Sequence, residues 1–108
     1  MSIATPAQLY QGALSATTTT TLYSASTVVL LSSIVLCNTD SSNRTVTMQW
    51  GTGTDAANRF LSAVNMLAGE TKLIEFDKPV VLNATEKISG GASSAAVVSA
   101  TISGVKVV

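Results

Sequence analysis

TVVLLSSIVLCNTDSSNRTVTMQWGT, residues 27–52, decides the fold. Val28 to Cys37 is apolar apart from Ser32 and Ser33. Its Val and Ile content, and the Asn/Asp/Ser cluster that follows, argue for a strand rather than a buried helix. An apolar run of this kind is expected to be a central strand buried on both faces. Asn38 to Asn43 is a turn. Arg44 to Trp50 then alternates, with Val46, Met48 and Trp50 on one face and Thr45, Thr47 and Gln49 on the other. Trp50 is expected to anchor the core; the competing reading is an exposed, sugar-stacking Trp.

The flanking segments read as further short strands. Thr17 to Thr21, leading into Leu22-Tyr23, suits a half-exposed strand because threonine is β-branched. Ala25 to Thr27 is a turn, and Gly51 to Asp55 a loop. Asn58 to Val64 is expected to be a strand, the alternative being a helical turn capped by Asp55. A turn around Gly69 leads to a strand over Lys72 to Phe76, which Pro79 should end. A short segment, Val80 to Leu82, precedes a turn over Asn83 to Glu86. Gly90-Gly91 reads as a hairpin break. Ala96, Val98, Ala100 and Ile102 share one face, and Val97, Ser99, Thr101 and Ser103 the other. Gly104 should bend the chain before a terminal strand over residues 105–108.

Residues 1–17 stand apart, punctuated by Pro6 and Gly12. They form either an edge strand over Gln8 to Ala13 or an extended arm lying on a neighbour. Their bulky apolar side chains, Ile3, Leu9, Tyr10 and Leu14, are the candidate protein-interface residues. The whole pattern, about seven to nine short strands between turn residues, predicts an all-β fold: an antiparallel β-sandwich or small jelly roll. The division is an N-terminal arm or edge strand over 1–17 and a sandwich domain over 18–108.

Composition narrows the function classes. The chain has 108 residues, the length of one domain, and only 11% are charged against 46% hydrophobic. Six basic and six acidic residues cancel, so no electrostatic footprint for nucleic acid or an anionic membrane is expected. Low charge and zero net charge favour association. There is no histidine and one cysteine, which excludes Ser–His and Cys–His nucleophile pairs and an ordinary zinc site. Cys37, inside the apolar run, is expected to be a buried hydrophobe. Glu75 and Asp77 could converge at i, i+2, but Lys72 and Lys78 beside them suggest a solvated edge. Asn38 to Asn43 is the one calcium-loop candidate and holds a single carboxylate, Asp40. Gly51-Thr52-Gly53 lacks the third glycine and following helix of a phosphate loop. No catalytic residue, metal or cofactor is expected. The start resembles no signal peptide, and no apolar run reaches the ~20 residues of a membrane helix, so synthesis in a cytoplasm is expected.

Three segments together resemble small structural proteins of tailed bacteriophages. They are Leu22-Tyr23 leading into Val28 to Asn38, then Leu67-Ala68-Gly69-Glu70-Thr71, then Val81-Leu82-Asn83-Ala84-Thr85-Glu86-Lys87-Ile88. The resemblance implies a virion component with a β-sandwich fold, made in the host cytoplasm. Its role would be capsid decoration (cement), clamping neighbouring major capsid protein subunits as a self-associating homotrimer. A tail, neck or fibre part, touching tail or neck proteins or a host glycan, is the alternative.

Overall fold

The strands pair as one long, folded hairpin. The computed structural model describes residues 3–53 and 56–107. Among them lie β1 (Ala4–Ala13), β2 (Thr21–Ser24), β3 (Val28–Asn38), β4 (Arg44–Gly51), β5 (Arg59–Met66), β6 (Thr71–Leu82), β7 (Lys87–Ala92) and β8 (Val98–Val107), with a single 3-10 turn at Ala56–Asn58. β1 pairs with β8, β2 with β7, β3 with β6 and β4 with β5, all antiparallel. Rolling that hairpin adds the pairs β3–β8 and β4–β7. The result is two four-stranded sheets, β1-β8-β3-β6 and β2-β7-β4-β5. Nested pairing rolled into two sheets is the jelly roll, one of the two architectures the pattern predicted.

The inner faces make one core. β3 contributes Val29, Leu31, Ile34 and Leu36, and β8 contributes Val98, Ala100 and Ile102. Val46 and Met48 of β4 and Ile88 of β7 meet them from the other sheet. Truncating a fully buried residue such as Ile34 to Ala should cost about 2–5 kcal/mol.

β3 corrects the expectation of burial on both faces. Leu31 pairs with Gly104 and Ser33 with Ser103, so Ser32 is an extra residue, a bulge. Val29 and Leu31 point inward before it, Ile34 and Leu36 after it. The run is therefore two alternating halves with a phase change at the serines. Val28, Leu30 and Val35 face outward.

Other corrections share a physical cause: turn-forming residues sit inside strands where the backbone is tightly approached or out of register. Pro79 does not end β6. β6 runs on to Leu82, with Val80, Val81 and Leu82 paired to Leu31, Leu30 and Val29, and its register on β3 shifts between Leu31 and Ser33. Gly90-Gly91 is inside β7, not a break; a Cβ on Gly91 would overlap the carbonyl oxygens of Thr17 and Ser15. Gly104 continues β8 without a bend, its missing side chain making room for Leu30 O. Thr17 to Thr20 are not strand but a turn, with Thr20 Oγ1 donating to Thr17 O at 3.0 Å. Asp55 as a helix cap, the side chains of Asp77, Lys78 and Pro79 and the terminal Val108 lie outside what the structure describes.

Candidate interaction surfaces

The jelly roll offers two outer faces and two ends. The outer face of β2-β7-β4-β5 is partly closed by its own chain. Residues 15–20 run beside β7, with Gly90 N donating to Thr20 O and Ala92 N to Ser15 O, both at 2.9 Å. The same loop folds over the sheet. Gln49, fully buried, turns its amide nitrogen to Thr18 O at 2.9 Å and to Ser89 O at 3.2 Å. What remains open on β4 and β5 is polar, for example Thr45, Ser62 and Asn65.

The outer face of β1-β8-β3-β6 is open and banded. One row crosses the strands as Pro6, Val105, Leu30 and Val81. The next is Gln8, Ser103, Ser33 and Glu75. The third is Gln11, Thr101, Val35 and Leu73. Val81 is 46% and Leu73 56% exposed. Glu75 is the one charged side chain in these rows. On β3 and β6, apolar, polar and apolar residues thus follow each other along the strands. Cys37, half-buried at the end of this face, receives the Thr71 hydroxyl at 3.5 Å.

The end formed by the β3–β4 and β5–β6 turns is locked by polar contacts. Asn38, fully buried, donates from Nδ2 to Ser42 O, Met66 O and Leu67 O at 3.0–3.1 Å and accepts from Asp40 N at 3.0 Å. Asp40 is tied to Arg44, whose Nη2 and Nε donate to Oδ2 at 2.5 and 2.7 Å. That contact, with Ser41 N on Oδ1, holds the Asp40 carboxyl below the usual carboxylate range. The only carboxylate of the calcium-loop candidate therefore already has a cation.

The opposite end carries the β2–β3, β4–β5 and β6–β7 connections and the start of β1. Trp50 shares the inward parity of β4 but stands at its open end, so it is half-buried instead of central. Its ring meets Phe60 edge-on at 5.7 Å, and Phe60 meets Phe76 at 6.0 Å. Such pairs add to area burial without needing full burial.

The four N-terminal interface candidates are not brought together. Leu9 and Leu14 lie in the chain's own core. Tyr10 is half-buried and donates its hydroxyl to Ala13 O at 3.0 Å. Ile3 is exposed, at 60%. The residues Ala4 to Ala13 are an edge strand, paired with β8. What sequence reasoning missed is the banded outer face, because the signal, the serine phase change in β3, was read as a mere interruption. Among the described residues there is no concave pocket and no metal-holding cluster.

No family model matches the chain, and no curated protein is similar to it. Three solved structures of similar shape come from one virus. A chain of the T13 particle of infectious bursal disease virus aligns with 98% of this chain and 30% of its own length, at 12% identity and a TM-score of 0.58. A chain of the Gx strain of the same virus aligns with 100% of this chain and 32% of its own, at 16% identity and a TM-score of 0.62. A chain of that virus's VP2 subviral particle aligns with 98% and 32%, at 17% identity and a TM-score of 0.55. The chain spans less than a third of the length of these relatives in shape. At such identities the likeness is one of fold, and a tailed-phage origin rests on the sequence resemblance alone.

Proposed function

We propose that this chain is a non-enzymatic structural module of a virus particle. The observation that carries the reading is the nested strand pairing of a jelly roll, shared along essentially the whole chain with chains solved in virus particles. The sequence supports it, having no histidine and few charges. Within that role the reading is a decoration (cement) protein that lies on major capsid subunits. The end that presents exposed Ile3 and the half-buried Trp50–Phe60 pair is the surface assigned to the shell in this reading. Weak contacts repeated by symmetry add through avidity. Quantitative mass spectrometry of purified particles tests this. A decoration protein is present on the order of hundreds of copies, as shell symmetry repeats each site. A handful of copies per particle would instead assign it to a neck, tail or fibre, and absence would overturn the reading.

A further inference from the structure

We infer that the outer face of the β1-β8-β3-β6 sheet is a homotypic docking surface, closed by the same face of a second copy of this chain. The inference does not depend on the virion reading. It starts from the contrast between the two outer faces. One is covered by residues 15–20 or polar, while the other exposes Leu73 and Val81 with Leu30, Val35 and Val105 between them.

The banding selects a copy of itself as the occupant. On β3 and β6, apolar pairs (Leu30–Val81 and Val35–Leu73) lie on either side of the polar row Gln8–Ser103–Ser33–Glu75. A two-fold axis in the contact plane, running across the strands over that polar row, lays Leu30 on Val35 and Val81 on Leu73 of the second copy. A two-fold contact is self-complementary by construction. The one charged side chain of the rows, Glu75, meets its own copy only at the rim, on the edge strand β6, and the chain has no net charge to repel its copy. The area suffices: four strands about 4.8 Å apart and ten residues of about 3.3 Å each give about 600 Å² per copy, or about 1,200 Å² in all, the lower end of specific interfaces. Two such sheets would pack face to face as aligned sheets do. A contact of this kind closes at two copies, so it puts a dimer in place of the trimer implied by the resemblance.

Sedimentation velocity on the full chain, between about 1 and about 300 μM, brackets an interface of this size. The expected result is a reversible shift from one chain mass to two. Leu73→Lys and Val81→Lys, each at an exposed position that the fold does not need, should weaken the dimer at least about tenfold. Leu67→Lys, exposed in the β5–β6 turn, should leave it unchanged, and circular dichroism should show the same strand content in all three. Should a variant fail to fold, Thr101→Lys on the same face carries the test. A monomer throughout, a species of three chains, or a dimer indifferent to these substitutions would overturn the inference and give the face to another protein.

Discussion

Gly69 and Thr85 occupy the same place in two equivalent turns. Each is the third residue of a four-residue turn, with φ of 74° and 78°. In each the fourth residue is a glutamate whose backbone N donates to the first residue's carbonyl at 3.0 Å. In each that glutamate's Oε1 accepts from the first residue's own N, at 2.9 Å for Glu70 on Leu67 and 2.6 Å for Glu86 on Asn83. These are two of the segments that carry the phage-like resemblance, so what they encode is turn geometry.

The pair predicts opposite effects of swapping. A positive φ suits glycine at this position and strains β-branched threonine. Thr85→Gly should stabilise the chain by about 1 kcal/mol, and Gly69→Thr should destabilise it by about as much. Urea unfolding with unchanged m-value checks both. Loss of stability in Thr85→Gly would contradict the equivalence.

Asn38 is expected to be among the least replaceable polar residues. Asn38→Asp keeps the shape but replaces the donor that serves Ser42 O, Met66 O and Leu67 O. A buried acceptor facing acceptors should cost about 3 kcal/mol or more at neutral pH. The measurement is thermal unfolding, and a variant as stable as the parent would remove Asn38 from the account.

The covering loop depends on Gly91. Gly91→Ala drives a methyl group into Thr17 O and Ser15 O. The loop should lift, at a cost of about 1–3 kcal/mol typical of overpacking. Hydrogen exchange should then rise at Gly90 and Ala92, whose N–H groups donate to that loop. Unchanged protection there would mean the loop does not rest on β7.

The Asp40–Arg44 pair sets a pH dependence. Arg44, then Ser41 N, lower the folded-state pKa of Asp40 below its value of 3.8. Near that pH the unfolded chain binds more protons than the folded one, so stability rises with pH there. The contribution is fully present above about pH 4 and is lost as pH falls through the lowered value. Asp40→Asn should narrow the gap to the parent as pH drops toward 2, by a small amount because the pair is open to solvent. Unfolding curves at several pH values check this, and a gap that widens in acid would contradict it.

How much of this was legible depends on which signal each segment carried. Arg44 to Trp50 and Ala95 to Ser103 alternate in the sequence, and Val46, Met48, Val98, Ala100 and Ile102 are core, whereas Ala96 is exposed in the turn before β8. Period-two patterning is set by the pleat, so it survives without knowledge of partners. The β3 run was harder because both halves are apolar outside as well as inside, and the phase change needs a bulge that the run itself does not announce. Gly90, Gly91 and Gly104 misled for one reason: their local preference for turns yielded to the close approach of neighbouring backbone. The threonine run has high strand propensity, yet four of its five residues serve as a cover for another strand. Ile3, Leu9, Tyr10 and Leu14 looked alike as apolar residues of a terminal segment; only the register of β1 on β8 separates the two core leucines from exposed Ile3.

The central claim is that this jelly roll works by lying against repeated neighbours on a virus particle. A symmetry-averaged cryo-electron microscopy map of the particle tests it most directly. The account predicts density for a two-sheet sandwich at every equivalent position of the shell, its Ile3 and Trp50 end turned toward the shell subunits. A map whose shell carries no such density, from particles that contain the chain, would contradict it.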